Sequence, residues 1–173
     1  MLLRVGAVPP LADRIGVYRP GTEPFFLPCP PDPPGGPGSA PVGVAGDVPI
    51  VGDWDGDGWR TIGVYRPGTS TFLLSNDGLT VARTIRFCAA GDLPVVRRVC
   101  GKDGCVDAIG VYRPSTQTFH LSDSNTAPAA NHVVPFGAPG DVPLIGEWTG
   151  DGVDKVGVYR PSTSTFYLKT TFP

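Results

Sequence analysis

The sequence predicts an all-β protein made of four similar sheets, and three observations support this prediction. One six-residue pattern recurs four times at a constant spacing, short apolar runs alternate with Gly- and Pro-rich turns, and no segment shows sustained helical periodicity. The 173 residues include 24 Gly and 21 Pro, a content that would usually indicate disorder. Here these residues recur at fixed intervals, and 40% of the chain is hydrophobic, so they mark turns between strands.

The repeat is defined by the pattern Ile/Val-Gly-Val-Tyr-Arg-Pro, which begins at Ile15, Ile62, Ile109 and Val156. Successive copies are 47 residues apart, and a Phe-x-Leu pattern recurs with the same step. We place the repeats approximately at residues 1–47, 48–92, 93–141 and 142–173, which together form a single repeat domain.

Four strands are predicted in each repeat, in a fixed order. A short apolar run follows a Gly-Asp turn, as in residues 46–51, and a Gly- and Asp-rich loop leads from it to the Gly-Val-Tyr strand. A tight Pro-Gly-Thr or Pro-Ser-Thr turn then leads to the Thr-Phe-x-Leu strand. The fourth run is residues 81–87 in repeat two and 132–136 in repeat three, whereas residues 28–41 of repeat one predict an irregular loop.

Four antiparallel strands in 47 residues are typical of a β-propeller blade, so we predict a propeller of four blades that stack to bury both faces. The alternative is a β-solenoid, whose rungs are shorter. The last blade lacks a fourth strand in the sequence. That strand is absent, is supplied by residues 1–5, or comes from a second chain in a homo-oligomer.

Charge and hydropathy exclude two classes of partner. The formal net charge is −2, whereas nucleic-acid binding needs a basic surface. No run approaches the 18 or so apolar residues of a membrane-spanning helix, and residues 1–10 lack the apolar core of a signal peptide. We expect neither nucleic-acid binding nor membrane insertion, and any export signal lies outside this sequence.

An acidic loop in repeat two has the spacing of a cation site. Asp53, Asp55 and Asp57 occupy positions 1, 3 and 5, the backbone carbonyl of Trp59 is at position 7, and Thr61 is at position 9. Calcium takes six to eight such oxygen ligands. The sequence therefore predicts one calcium site here, the alternative being a solvated acidic turn.

Residues 52–58, 62–67 and 70–74 together resemble the FG-GAP or VCBS-type repeats of bacterial extracellular proteins, which are similar to the blades of the integrin α-subunit propeller. The resemblance implies calcium in the loop between the first two strands of a blade. It also implies a non-catalytic structural or adhesive role in an exported bacterial protein, outside the cell, with a protein or glycan partner on a cell surface or matrix. Position 9 is usually acidic in that family, so Thr61 predicts weak binding.

A sugar-binding lectin of the small-propeller type is the alternative function. A multivalent lectin should keep the same ligands in each blade, but Phe26, Leu73, His120 and Tyr167 differ at one equivalent position. Catalysis is not expected, because the chain has two histidines and no Gly-x-Ser-x-Gly elbow.

The corresponding loop of repeat four has Glu147, Thr149 and Asp151 at positions 1, 3 and 5 and Lys155 at position 9. We expect the Lys155 ammonium to replace the cation and to pair with Glu147 or Asp151. Repeat one has no acidic residue at these positions and cannot bind a cation.

Repeat three has two extra residues in this loop, together with Cys100 and Cys105. A disulfide across the turn is the leading interpretation, and a zinc site or two reduced thiols are the alternatives. Whether Cys29 and Cys88 pair is left open. The repeated arginines, which could form a ring for an anion, are better explained as partners of the Gly-Asp carboxylates; they are Arg19, Arg66, Arg113 and Arg160.

Overall fold

The computed structural model describes residues 17–18, 25–26, 42–102, 104–126 and 129–172 of the chain. These residues form 13 β-strands and no helix, which confirms the all-β prediction. The strands are β1 (Val17–Tyr18), β2 (Phe25–Phe26), β3 (Val48–Gly52), β4 (Thr61–Arg66), β5 (Thr71–Leu74), β6 (Arg83–Arg86), β7 (Leu93–Gly101), β8 (Gly104–Arg113), β9 (Thr118–Leu121), β10 (His132–Pro135), β11 (Val142–Gly146), β12 (Lys155–Arg160) and β13 (Thr165–Leu168).

The strands form four antiparallel sheets, one in each predicted repeat, and we name them by repeat. Sheet I is β1–β2, sheet II is β3–β6, sheet III is β7–β10 and sheet IV is β11–β13. Within each sheet every strand pairs with the next strand in the chain. The four-strand prediction is confirmed for repeats two and three, and repeat four forms a three-stranded sheet in the described part. Residues 1–5 and 28–41 lie outside the described residues.

Each of sheets II to IV has two apolar faces. One, here called the aromatic face, carries the Tyr, Phe and Leu of the repeat, and the other, the aliphatic face, carries the two branched residues that flank the motif glycine. The aromatic face of sheet II packs on Ile109 and Val111 of sheet III. The aromatic face of sheet III packs on Val156 and Val158 of sheet IV. Neighbouring sheets therefore bury each other's apolar faces. Their first strands are also adjacent, since β3 contacts β7 and β7 contacts β11.

The glycine of the repeated motif is required by this packing. A Cβ atom on Gly110 would lie 2.7 Å from Cδ2 of Leu121 on the neighbouring strand, and one on Gly157 would lie 2.9 Å from Cδ2 of Leu168. These distances are below van der Waals contact. The absence of a side chain at this position is what lets the leucine of the third strand lie flat across the second.

Strands β7 and β8 have nine and ten residues, whereas their counterparts in sheets II and IV have five or six. Residues 98–101 pair with residues 104–107 at the end of this hairpin. Pairing continues to Cys100 opposite Cys105 and to Gly101 opposite Gly104, and Gly104 has a φ of 123°. The two-residue insertion thus lengthens the hairpin of repeat three beyond its counterparts.

The predicted ion pairs between the repeated arginines and the Gly-Asp carboxylates are present for the arginines of repeats two to four. In each, the arginine at the end of the second strand donates Nε–H and Nη2–H to the carboxylate before the first strand, at 2.8 to 3.0 Å, and that carboxylate is almost completely buried. This confirms structural pairing for Arg66, Arg113 and Arg160, whereas Arg19 lies outside the described residues. The pairs are Asp47–Arg66, Asp92–Arg113 and Asp141–Arg160.

Cys100 and Cys105 form a disulfide, and Cys88 is a free thiol, while Cys29 lies outside the described residues. The bond closes a loop of about six residues, for which chain entropy predicts about 2 kcal/mol of stabilisation. We expect thiol counting on denatured, unreduced protein to give two free thiols in the native sequence and none in a Cys29→Ser/Cys88→Ser variant. Four free thiols in the native protein would contradict the bond.

Candidate metal centre

The acidic loop, residues 53–60, connects the first two strands of sheet II and is held against sheet III. The backbone N–H of Asp53 donates to Oδ2 of Asp107 at 3.0 Å, and the N–H of Asp107 donates to the carbonyl of Asp53 at 2.6 Å. Arg60 Nε lies 3.4 Å from the same Asp107 carboxylate. The loop is therefore positioned by the neighbouring repeat as well as by its own strands.

The carboxylates of Asp53, Asp55 and Asp57 converge, with one oxygen from each lying within 4.8 Å of the others. Backbone N–H groups hold two of these three carboxylates in place through hydrogen bonds. Asp53 accepts from Gly56 at 2.8 Å and from Gly58 at 3.0 Å, and Asp57 accepts from the N–H of Trp59 at 2.8 Å. Each oxygen keeps a free lone pair, so the loop presents preorganised hard ligands.

The second residue of the acidic loop, Trp54, is buried, and the repeat pattern had not predicted a role for it. Trp54 is 2% exposed, donates Nε1–H to the carbonyl of Ile62 and packs under Gly52, where a Cβ would lie 2.6 Å from the indole. In repeat four, Trp148 packs under Gly146 in the same way and donates to the carbonyl of Lys169. The shared Gly-acid-Trp order in the two loops was the available signal.

The remaining predicted ligands are Trp59 and Thr61. The indole of Trp59 is 41% exposed, at the outer end of the loop. The hydroxyl of Thr61 donates to the carbonyl of Ser75 at 2.5 Å, and it lies 3.4 Å from the carbonyl of Gly52. The structure therefore brings the three carboxylates together and engages the Thr61 hydroxyl with the backbone of sheet II.

The corresponding loop of repeat four contains a buried cation of its own. The Lys155 side chain is 1% exposed, and its ammonium donates to Asp151 at 2.5 Å and to the carbonyl of Val153 at 2.8 Å. Hydrogen bonding from Lys155 also holds the pKa of the Asp151 carboxyl below its ordinary value. The predicted pairing with Asp151 is confirmed, whereas Glu147 accepts backbone N–H groups of Thr149 and Gly150.

Asn125 is a second positioning residue that sequence reasoning missed. It is 6% exposed, donates to the carbonyls of Trp54 and Asp107 at 3.2 and 2.8 Å, and accepts from the N–H of Ile109. The equivalent positions in repeats two and four are Gly78 and Phe172. Because the residue does not recur, the repeat pattern gives no signal for it.

The two histidines have other environments. His132 lies 3.0 Å from the Asp123 carboxylate and packs edge-on against Phe172. Burial lowers the pKa of His120. Neither is part of the acidic loop, and the absence of catalytic activity remains a prediction.

No family model, curated protein or solved structure matches the chain. Within the described ranges, no helix is long and apolar enough to cross a membrane.

Proposed function

We propose that this protein is a non-catalytic structural or adhesive module, a four-bladed β-propeller of an exported protein, whose repeat-two loop binds one calcium ion. The ligands are the carboxylates of Asp53, Asp55 and Asp57 and the backbone carbonyl of Trp59. The Thr61 hydroxyl proton is already donated to Ser75, so we assign position 9 to a water molecule.

One observation carries the calcium part of the proposal. In repeat four, the Lys155 ammonium is bound by the position 5 carboxylate, Asp151, and by the position 7 carbonyl, Val153. Repeat two has Asp57 and the Trp59 carbonyl at the same two positions and no lysine. The loop framework thus directs oxygens at positions 5 and 7 toward a common point, which is where a cation is held in repeat four.

The charge of the repeat-two loop favours a divalent ion over a lysine. Its three converging carboxylates have a combined formal charge of −3, against −2 for Glu147 and Asp151 in repeat four. Position 9 contributes no charge, so we expect weak calcium binding of the kind found in extracellular modules, with a Kd on the order of 10⁻⁴ to 10⁻³ M. Millimolar calcium outside cells would still occupy such a site.

Calcium should stabilise the folded protein. At a tenfold excess of calcium over Kd, the expected gain is about 1.4 kcal/mol, measured as the difference between thermal melts in calcium and in chelator. Asp57→Asn keeps an oxygen to accept the Trp59 N–H but removes one charge, and it should abolish most of this difference.

The matched control is Glu147→Gln, at position 1 of the repeat-four loop, where the lysine is the cation. It should keep the full calcium-dependent shift. A wild-type protein that melts identically in calcium and chelator, or an Asp57→Asn variant with an unchanged shift, would show that the acidic loop is only a solvated turn.

Two further observations support the wider proposal. Sheets II to IV stack with their first strands adjacent, as blades do around an axis. The Cys100–Cys105 disulfide is typical of proteins that fold in an oxidising compartment. The disulfide supports our proposal that the protein functions outside the cell. The partner that we propose there, a protein or glycan on a cell surface or matrix, is the one that the resemblance to FG-GAP or VCBS-type repeats implies.

Sugar binding measured on a glycan array distinguishes the proposed structural or adhesive role from that of a lectin. Calcium-dependent binding of one sugar class would favour the lectin. At the equivalent outer position of each repeat the described residues are Leu73, His120 and Tyr167, which share no polar group.

A further inference from the structure

An open groove lies beside the last strand of sheet II, between that sheet and a loop of repeat three. It has a volume of about 340 Å³ and is lined by the whole of β6, together with Asn125 and Thr126. Strand β6 is at the edge of its sheet, so in the described part of the chain no strand pairs with its outer side. The backbone groups on such an edge can bind an extended chain.

Arg83 and Arg86, at the two ends of β6, are not neutralised by the described part of the protein. None of the ion pairs formed by the described residues includes either arginine. The Nε–H of Arg83 is buried and has no hydrogen-bond acceptor there. In the same sheet, Arg66 donates two hydrogen bonds to the Asp47 carboxylate. Because a buried donor on a charged group is costly unless an acceptor binds it, Arg83 is a candidate anion-binding residue.

Repeat three satisfies the position equivalent to Arg83 with a carboxylate of its own. The equivalent residue is His132, since each of the two pairs with the leucine that ends the third strand of its sheet. The His132 ring lies 3.0 Å from the carboxylate of Asp123. The residue 47 positions before Asp123 is Asn76, whose Oδ1 is buried without a donor among the described residues. Repeat two therefore has a neutral amide where repeat three has the carboxylate.

The space beside this position is also filled differently in the two repeats. At the junction of sheets III and IV, Phe172 packs edge-on against His132, with ring centroids 4.8 Å apart. The residue equivalent to Phe172 at the junction of sheets II and III is Asn125, whose amide donates to two backbone carbonyls. The smaller side chain lines the groove and leaves it open beside Arg83.

The groove is positively charged, although the whole chain has a formal net charge of −2. Its described lining residues include two arginines and no carboxylate. The acidic residue of the adjoining loop, Asp77, accepts hydrogen bonds from Ser75, Leu79 and Thr80. A guanidinium binds a carboxylate through two parallel N–H donors. The groove is therefore complementary to a ligand that carries a carboxylate.

We propose that this groove binds an extended acidic segment of a partner protein, which adds to β6 as a fifth strand of sheet II and pairs a carboxylate with Arg83. The ligand carboxylate has the role that Asp123 has for His132 in repeat three. A peptide is favoured over an isolated anion because the groove follows four consecutive residues of an edge strand. The inference rests on the proposed adhesive role, for which it names the partner chemistry, but not on calcium or on closure of the propeller.

An NMR titration in chelator tests the proposal without a contribution from the calcium site. The probe is a capped hexapeptide of alternating glutamate and threonine, and the control peptide has glutamine in place of glutamate. We expect the acidic peptide to shift the Nε–H resonance of Arg83 and the backbone amides of β6, and to bind about tenfold more tightly than the neutral peptide. Arg83→Gln should weaken the acidic peptide by a similar factor. Arg98→Gln, which removes the same charge from an exposed residue of sheet III, should not.

The Nε–H resonance of the wild-type protein decides the matter even if Arg83→Gln does not fold. No shift at Arg83, equal binding of the two peptides, or unchanged binding by a folded Arg83→Gln variant would overturn the proposal. Acetate or a sulfated disaccharide that binds as tightly as the acidic peptide, at equal ionic strength, would overturn the protein partner by reducing the groove to a site for single anions. None of these results alters the calcium-dependent melting shift, which tests the proposed function separately.

Discussion

Replacing Phe119 with alanine is expected to lower the free energy of unfolding by about 4 kcal/mol, the middle of the range for buried aromatic residues. Phe119 is completely buried, lies with its ring centroid 4.7 Å from that of Tyr112, and belongs to the cluster that joins sheet III to Val156 and Val158 of sheet IV. The substitution removes contacts inside one sheet and between two sheets. Chemical denaturation monitored by tryptophan fluorescence measures the change.

Val133→Ala is the matched control, because Val133 lies on the neighbouring strand β10 but is 56% exposed. It should change the free energy of unfolding by less than about 0.5 kcal/mol. A loss below about 1 kcal/mol for Phe119→Ala would mean that sheets III and IV do not pack through this face in solution.

Asp92→Ala is expected to cost about 3 kcal/mol, because it removes a buried carboxylate with several charge-assisted hydrogen bonds. The Asp92 side chain is 1% exposed, accepts from Nε and Nη2 of Arg113 at 2.9 and 2.8 Å, and accepts from the N–H of Ala89 at 3.0 Å. Its loss leaves the partly buried Arg113 guanidinium without a counter-charge. Asp55→Ala, measured in chelator, is the control and should cost less, because it removes an exposed carboxylate that accepts a backbone N–H at 3.4 Å.

The cost of Asp92→Ala should depend on pH. Burial alone raises the pKa of Asp92, but hydrogen bonds from Arg113 and Ala89 outweigh it and leave the pKa below the ordinary value. A lowered native pKa contributes stability that is fully present above the unfolded value of about 3.9 and is lost as the pH falls through the native value. Denaturation at pH 7 and at successively lower pH should show the difference between wild type and variant shrinking below about pH 4. A constant difference would mean that the charge of Asp92 is not what stabilises the pair.

Much of the local structure could be predicted because it recurs. The 47-residue step located the strands of sheets II and III, and the alternation of branched residues with Gly and Tyr in β4 predicted two buried faces. The Asp–Arg pairs and the Lys155–Asp151 contact followed from complementary charges at repeated positions. Each of these features depends on residues close in sequence or on a pattern repeated in the chain.

The candidate site was predictable only in part, for the same reason. The spacing of Asp53, Asp55 and Asp57 is a local property, and the three carboxylates do converge. Asn125 binds the loop from 71 residues away and occurs once, so no pattern marks it. The hydroxyl of Thr61 is engaged by Ser75, a partner that only the pairing of neighbouring strands brings near.

The sequence by itself determined the all-β class, the repeat length, the turns and the acidic spacing, because these depend on short-range sterics and periodic hydrophobicity. Only the tertiary structure decided that the insertion at Cys100 and Cys105 extends a hairpin, and that Asp107 and Asn125 of one repeat hold the loop of another. It also decided that Phe166 is exposed while its counterparts Phe72 and Phe119 are buried. Identical residues in successive repeats differ in this way because burial depends on which sheet packs against them.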